Sequence, residues 1–210
     1  MDRRPISSRS NMAIRSLARE LAATSITPNQ VSAFSVIASL LVPTALFGLT
    51  GWAAALIAVL GIQLRLLANV IDGLVAVEGG KASPLGSLYN EFPDRIADSV
   101  ILVALGYAAH CSWLGWLAAL VAALTAYIRV FGGALGQTQA FLGPMAKQHR
   151  MFVASAALLA APLLAATVGW AETFTLQTGL VVIAAGSAVT CVTRTRAIAR
   201  QLTAPGGIYP

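Results

Sequence analysis

The sequence predicts an all-α, polytopic membrane protein with six transmembrane helices and an N-terminal amphipathic surface helix. Of its 210 residues, 57% are hydrophobic and only 10% are charged, with a mean hydropathy of +0.75. Soluble domains contain about a quarter charged residues. The apolar residues also occur in runs of roughly 18 or more, the length that crosses a bilayer as a helix. These two observations exclude an ordinary soluble fold.

Residues 1–30 are predicted to form a cytoplasmic segment whose helix lies on the membrane surface. In the stretch NMAIRSLARELAA, the apolar residues fall largely along one helical side, opposite arginines and a glutamate, as in interfacial helices. That apolar side consists of Met12, Ile14, Leu17 and Leu21. A frayed basic tail is the alternative interpretation. Pro28 then interrupts the chain before the first apolar run.

Six apolar segments follow, and each is predicted to span the membrane. They are approximately Val31–Leu49, Trp52–Val77, Phe92–His110, Trp113–Gly133, Met151–Trp170 and Phe174–Thr193. Lys and Arg flank alternate connections, while the connections near Thr50, Ser112 and Glu172 carry none. Because positive charges mark cytoplasmic loops, both termini are predicted to be cytoplasmic, in an inner (cytoplasmic) membrane.

The predicted organisation is a membrane domain over residues 31–196, followed by a cytoplasmic tail over residues 197–210. The basic residues lie at the edges of the apolar runs, so the net charge of +6 indicates contact with anionic lipid and not with nucleic acid.

Five of the eight Asp and Glu residues lie in one short stretch between the second and third spans. They are Asp72, Glu78, Glu91, Asp94 and Asp98. Asn69 precedes Asp72 by three residues, so both share one helical face, and the last three acids recur at spacings of three and four. Since a short loop makes these two helices antiparallel neighbours, we expect their acidic faces to meet.

Carboxylates gathered at a membrane boundary require a positive partner. Lys81 lies on a loop and Arg95 on a different helical face, so neither is expected to neutralise the cluster. Oxygen ligands without His or Cys suit Mg²⁺ or Mn²⁺, ions that assist phosphoryl transfer. A divalent metal site at the cytoplasmic face is therefore predicted. The alternative is an acidic loop that only faces water.

Basic residues within or beside the spans are candidates for phosphate binding. Arg65 lies inside the second span, where a charge usually faces a cavity or a partner, although snorkelling is the alternative. Arg129 lies near the cytoplasmic end of the fourth span. Lys147 and Arg150 follow in GPMAKQHR. Basic side chains at one cytoplasmic mouth can hold a phosphate, and plain positive-inside anchoring is the other interpretation.

The acidic stretch resembles the motif of the class I CDP-alcohol phosphotransferases (CDP-alcohol phosphatidyltransferases), D-x2-D-G-x2-A-R-x8-G-x3-D-x3-D. The matching residues are Asp72, Gly73, Ala76 and Gly86. ITPNQVS before the first span and the YIR that contains Arg129 are similar to two further elements of that family. The chain is identified as a divergent member, and the resemblance implies that Gly73, Ala76 and Gly86 contact a CDP-linked donor.

Two motif positions differ in this chain, because Asn69 replaces the first Asp and Val77 replaces the Arg. An Asn can ligate a metal through its carbonyl oxygen but brings no charge, so one metal and two metals both stay open. The family's Arg helps to hold the nucleotide phosphates, and Lys81 or Arg65 is predicted to replace it.

The register of the third helix is also open. A strict count from Gly86 assigns the last two motif acids to Asn90 and Asp94. A helix shifted by one turn assigns them to Asp94 and Asp98, which fits the family's pattern best. Glu91 is then an added acid that compensates for the missing charge of the first motif position.

The resemblance implies the transfer of a phosphatidyl or substituted phosphoryl group from a CDP-linked donor, CDP-diacylglycerol, to an alcohol, with release of CMP. It places Mg²⁺ or Mn²⁺ on Asp72, Asp94 and Asp98, with Asn69 or Glu91, and makes Asp98 the base for the acceptor hydroxyl. The residues implied for the acceptor's phosphate are Arg129, Lys147 and Arg150.

The resemblance also implies a homodimer and a role in phospholipid biosynthesis. A catalytically reduced relative, which binds lipid or divalent metal without turnover, is the alternative function. A small transporter is disfavoured, because its polar residues would be spread through several spans at the midplane, whereas here they gather at the cytoplasmic edge.

Overall fold

The computed structural model describes residues 12–81, 84–138 and 141–204, and these form eight α-helices without a strand. The helices are α1 (Met12–Ala22), α2 (Pro28–Ser39), α3 (Leu41–Gly48), α4 (Gly51–Glu78), α5 (Gly86–Ala108), α6 (Ser112–Ala134), α7 (Lys147–Val168) and α8 (Glu172–Thr203). The predicted all-α class is confirmed. The start of the predicted cytoplasmic segment and the end of the predicted tail lie outside the described residues.

The first predicted span consists of two helices, because the chain breaks at Leu40. A capping box begins α2: Gln30 N donates to Thr27 Oγ1 at 3.3 Å, and Thr27 N donates to Gln30 Oε1 at 2.9 Å. Both groups satisfy backbone donors that a helix start leaves open. Pro43 lacks the N–H that would reach Ser39, so the helix cannot continue regularly through this point.

Five segments of the described residues are long and apolar enough to cross a membrane. They are Pro28–Gly48, Gly51–Val77, Ser112–Ala134, Lys147–Val168 and Glu172–Thr203. Helix α5 contains most of the third predicted span but does not join this set, since four charged residues lie between Glu91 and Asp98. The structure thus supports a polytopic membrane protein with five such segments instead of the predicted six.

The described residues divide into two compact units, residues 12–101 and residues 102–204. In the first unit, α1 and α2 both pack on α4. Ala18 of α1 is fully buried, and Ile14 and Leu21 pack against the same core. Met12, by contrast, is 86% exposed. Half of the predicted apolar side of α1 therefore packs on the protein itself, and its position on a membrane surface stays a prediction.

In the second unit, α8 packs on both α6 and α7, with small residues at the contacts. A Cβ on Gly179 would lie 2.6 Å from Ala157 Cβ, and one on Gly132 would lie 2.7 Å from Ile198 Cδ1. At these separations a side chain on either glycine would force its neighbour to shift, so glycine permits the close approach of the helices. Helix α8 continues to Thr203, and residues 197–203, predicted as tail, are helical.

Candidate active site

One face of α4 carries three polar residues. Arg65, Asn69 and Asp72 are spaced by four and three residues, so the helix places them along one side. Arg65 is fully buried and Asp72 is nearly so. Ser32 Oγ, on α2, donates a 2.6 Å hydrogen bond to Asp72 Oδ2. Asp72 is therefore held from the neighbouring helix by a hydroxyl group.

Asp94 and Asp98 of α5 converge on the guanidinium of Arg65. Arg65 Nη2 lies 2.5 Å from Asp98 Oδ1 and 3.4 Å from Asp94 Oδ1. The same nitrogen donates to the Asp94 carbonyl at 3.3 Å. The three side chains are at most 7% exposed, which makes this a buried, charge-assisted cluster. The predicted partner of Arg65, an acid or a phosphate, is thus an acid in this structure.

Arg95 also contacts the acids of α5. Its Nη2 lies 3.6 Å from Glu91 Oε2 and 3.5 Å from Asp94 Oδ2. The prediction that Arg95 faces away from the carboxylates is wrong, because a long side chain can turn back toward a residue adjacent to it or one turn earlier. The pair is partly exposed, so water screens it and its contribution to stability is small.

Three buried donor atoms on α4 have no hydrogen-bond partner among the described residues. They are Arg65 Nε, Arg65 Nη1 and Asn69 Nδ2. An unsatisfied buried donor costs about 1–3 kcal/mol, and such atoms in a native fold usually meet water or a ligand. Arg65 therefore directs one nitrogen, Nη2, at the carboxylates. Its other two nitrogens and Asn69 Nδ2 are suited to donate hydrogen bonds to the oxygens of a bound group such as a phosphate.

In this structure the carboxylates of the cluster have protein partners. No group of three or more His, Cys, Asp or Glu side chains that could hold an ion occurs in the described parts of the chain. Instead, Arg65 engages Asp94 and Asp98, Ser32 engages Asp72, and Arg95 engages Glu91. The donor chemistry suits Mg²⁺ or Mn²⁺, but a guanidinium takes the cation's place beside the carboxylates.

The other residues predicted to contact the CDP-linked donor differ in their exposure and in their contacts. Gly73 and Ala76 are partly buried on α4, while Val77 is 57% exposed. Lys81 Nζ donates to the carbonyls of Thr24 at 2.5 Å and Ile26 at 3.1 Å. Lys81 thus holds the link between α1 and α2, and its predicted phosphate contact stays a prediction.

The start of α5 is relevant to the choice between the two registers of the motif. The helix begins at Gly86, and Asn90 in its second turn is exposed. Asp94 and Asp98 point to the buried side, where they reach Arg65. In the structure, Asp94 and Asp98, the two acids of the shifted register, therefore point toward the protein interior.

A second polar cluster, the arginine pair, lies in the other unit and consists of Arg150 and Arg194. Both are buried and both reach Thr125: Arg150 Nη1 donates to its Oγ1 at 3.3 Å, and Arg194 Nη1 to its carbonyl at 2.5 Å. Arg150 Nη1 also donates to Met145 O at 3.0 Å and Arg194 Nε to Leu142 O at 2.9 Å. The two cations thereby clamp the segment 141–146.

Thr190 makes two further contacts with the clamped segment. Met145 N donates to Thr190 Oγ1 at 2.9 Å. Gly143 has φ +106, and a Cβ on it would lie 2.5 Å from Thr190 Cγ2. Only glycine combines this left-handed backbone with so close a contact.

The sequence did not single out Arg194, which is one of several basic residues after the last predicted span. The signal that could have found it is a charge imbalance: residues 102–210 contain six Lys and Arg but a single acid, Glu172. Of the predicted phosphate-binding residues, Arg150 is buried, Lys147 begins α7, and Arg129 Cζ lies 5.4 Å from the centroid of the Phe141 ring.

Two crystal structures of the Mycobacterium tuberculosis phosphatidylinositol phosphate synthase PgsA1 resemble this chain. The structure with CDP-DAG bound has a TM-score of 0.70, at 21% identity, over 95% of this chain and 98% of that chain. The complex with manganese and citrate also has a TM-score of 0.70, at 22% identity, over 94% and 92%. The chain has the fold of a phosphatidylinositol phosphate synthase.

At this level of identity the likeness is one of fold. No protein-family model matches the chain, and no curated protein matches its sequence. The phosphatidylinositol phosphate synthase fold nevertheless extends over nearly the whole chain, and that enzyme is a CDP-alcohol phosphatidyltransferase. The resemblance inferred from the motif is confirmed in the fold.

Proposed function

We propose that this chain is an integral membrane CDP-alcohol phosphatidyltransferase of phospholipid biosynthesis. It would move a phosphatidyl or substituted phosphoryl group from a CDP-linked donor to an alcohol and release CMP. The observation that carries the proposal is the cluster around Arg65, in which buried carboxylates and unsatisfied donors meet on helices with the motif residues. Such a cluster suits a substrate that combines a hydroxyl group with phosphates.

The reaction needs a base and a positive charge, and this chain's own residues supply both. Asp98 would take the proton of the acceptor hydroxyl, whose oxygen attacks the lipid-side phosphorus of the diphosphate. A new phosphorus–oxygen bond forms as the bond to CMP breaks, and CMP leaves with that electron pair. Arg65 and Asn69 would donate hydrogen bonds to the phosphate oxygens and stabilise the charge that develops there.

An apolar groove in the first unit supports a lipid donor. It has a volume of about 530 Å³ and lies among α1, α2 and α4. Leu64, Ala68 and Ile71 line the groove. In the sequence they directly precede Arg65, Asn69 and Asp72, respectively. We assign the groove to an acyl chain of CDP-diacylglycerol, which is the lipid that one structure of the Mycobacterium enzyme holds.

A divalent cofactor is part of the proposal, because the other Mycobacterium structure is a complex with manganese. The residues that would hold Mg²⁺ or Mn²⁺ are Asp72, Asp94 and Asp98, with Asn69 or Glu91. Gly73, Ala76 and Gly86 would stay close to the nucleotide, as the motif implies. In this structure the carboxylates among them have protein partners.

For the acceptor we propose a phosphorylated alcohol held by the second unit. Arg150 is one of the residues predicted for the acceptor's phosphate and, like Arg194, is a buried cation. Arg129 and Lys147 complete the predicted set. Guanidinium groups bind phosphate through paired hydrogen bonds.

The proposed topology retains six spans, with α5 as the additional one and both termini in the cytoplasm. The charges of α5 lie between Glu91 and Asp98, so the apolar remainder can enter the bilayer while the acids stay at the cytoplasmic face. The proposal also includes an inner (cytoplasmic) membrane location, α1 at the membrane surface and a homodimer.

A second candidate function is a catalytically reduced relative that binds lipid without turnover. Three observations favour it: Asn69 and Val77 replace motif residues, and Arg65 occupies the carboxylate pair. Radiolabelled CDP-diacylglycerol, offered to the purified protein with and without Mg²⁺ or Mn²⁺, separates the candidates. Acceptor-dependent CMP release, with glycerol phosphate or inositol phosphate as acceptors, is expected from the enzyme. Binding without CMP from any acceptor would establish the second candidate instead.

A further inference from the structure

One guanidinium of α4, that of Arg65, pairs with two aspartates of α5. A single guanidinium nitrogen reaches Asp98 Oδ1 at 2.5 Å and Asp94 Oδ1 at 3.4 Å, and all three side chains are buried. Because the pair is removed from solvent, its charges are little screened. A cation that comes from the chain itself thus neutralises the two acids that point inward.

We propose that Arg65 and a divalent ion are alternative partners of the Asp94–Asp98 pair, so that Arg65 keeps the affinity of this protein for metal low. A divalent ion that ligates these Oδ1 atoms would lie against the guanidinium, and two cations repel strongly at such distances in a low-dielectric site. Metal binding therefore requires Arg65 to leave the pair. The proposal rests on the ion pair and is independent of the transferase activity proposed above.

The surroundings of Arg65 make this exchange physically reasonable. Arg65 Nε and Nη1 are buried and have no partner among the described residues, so only Nη2 ties the side chain to the acids. Arg95 cannot replace Arg65 in the same way, because it is about a quarter exposed and reaches the opposite oxygen of Asp94. Removing Arg65 would take from two buried carboxylates the guanidinium that they share, a state that a divalent ion relieves.

The test is Mn²⁺ binding by the purified full-length protein in detergent, without substrate, followed by electron paramagnetic resonance of free Mn²⁺. Arg65→Met is expected to bind Mn²⁺ at least about tenfold more tightly than the wild type, a difference well above measurement error. In the matched control Arg95→Met, which removes the more exposed guanidinium, the affinity should stay within about threefold of the wild type. Arg65→Met/Asp98→Asn should lose the gain.

Thermal unfolding gives a second readout. In EDTA, Arg65→Met should melt below the wild type, and Mn²⁺ should restore much of the difference because it binds the folded state. If Arg65→Met does not fold, Arg65→Gln removes the charge but keeps a donor for Asp98, and it carries the same expectation. Equal Mn²⁺ affinity in the wild type and these variants would overturn the proposal. Since no substrate is present, that result would leave the transferase proposal standing.

Discussion

Arg65 of α4 and Asp98 of α5 form a buried ion pair, with 2.5 Å between Nη2 and Oδ1, that joins the two helices carrying the motif residues. Asp94 shares the same nitrogen. The pair thus orients two acids of the candidate active site, and its removal should affect stability and chemistry in different ways.

Breaking this pair from one side should be costly. Arg65→Ala or Asp98→Ala leaves a buried charge without its partner, and we expect each to lower the free energy of unfolding by about 3–5 kcal/mol. The joint replacement Arg65→Met/Asp98→Leu removes both charges and should cost much less than the sum. Arg95→Ala, which breaks a partly exposed pair, should cost about 1 kcal/mol or less. Chemical denaturation in detergent measures all of these; additive single and joint effects would contradict the coupling.

The carboxylates that point inward should matter to activity, and the exposed amide should not. If Asp98 accepts the acceptor's proton, Asp98→Asn should slow CMP release by about 10²–10⁴-fold. Asp94→Asn should also reduce the rate, since it orients the same guanidinium. Asn90→Ala is the matched control, because Asn90 is exposed on the same helix. The assay is CMP release at saturating acceptor. Loss of activity in Asn90→Ala with full activity in Asp98→Asn would point to the strict motif register.

Lys81 should behave as a structural contact and not as a phosphate ligand. Lys81→Met removes two hydrogen bonds to backbone carbonyls, so hydrogen exchange of residues 23–27 should speed up. The KM for the CDP-linked donor should change little. Lys81→Arg, which can still donate to those carbonyls, is the rescue variant. A large rise in KM with unchanged exchange would restore the interpretation drawn from the motif.

Arg194 and Arg196 make a matched pair on one helix. Arg194 is buried against Thr125 and Leu142, whereas Arg196 is exposed. We expect Arg194→Met to destabilise the protein by about 2–4 kcal/mol through lost charged hydrogen bonds, and Arg196→Met to cost less than about 0.5 kcal/mol. Thermal unfolding in detergent compares the two. Equal effects would mean that both residues act as membrane anchors.

Gly143 and Gly136 separate backbone strain from steric overlap. Both have positive φ, but a Cβ on Gly143 meets Thr190 whereas one on Gly136 has open space. Gly136→Ala should cost about 1 kcal/mol from strain alone. Gly143→Ala adds the overlap and should cost at least about 1–3 kcal/mol more. The unfolding free energies of the two variants check this, and Gly143→Ala/Thr190→Ser should recover part of the loss.

Much of the fold followed from local sequence features. Hydropathy located α4, α6, α7 and most of α8 because a helix surrounded by lipid must be apolar over its whole length. The break at Leu40 and the continuation of α8 past Thr193 were not predicted. Both depend on individual bonds: a missing N–H at Pro43, and packing that keeps a charged segment helical.

The sequence by itself determined that the protein is helical and apolar, and that Asp94 and Asp98 share one side of their helix, because both properties depend on the residues along one helix. Only the tertiary structure decided which cation those acids meet. Arg65 reaches Asp98 across 33 positions in the chain, and that meeting depends on how far one helix slides along another, which no local pattern specifies. The same reason separates Arg194 from Arg196, since burial is set by the helices that pack around each position.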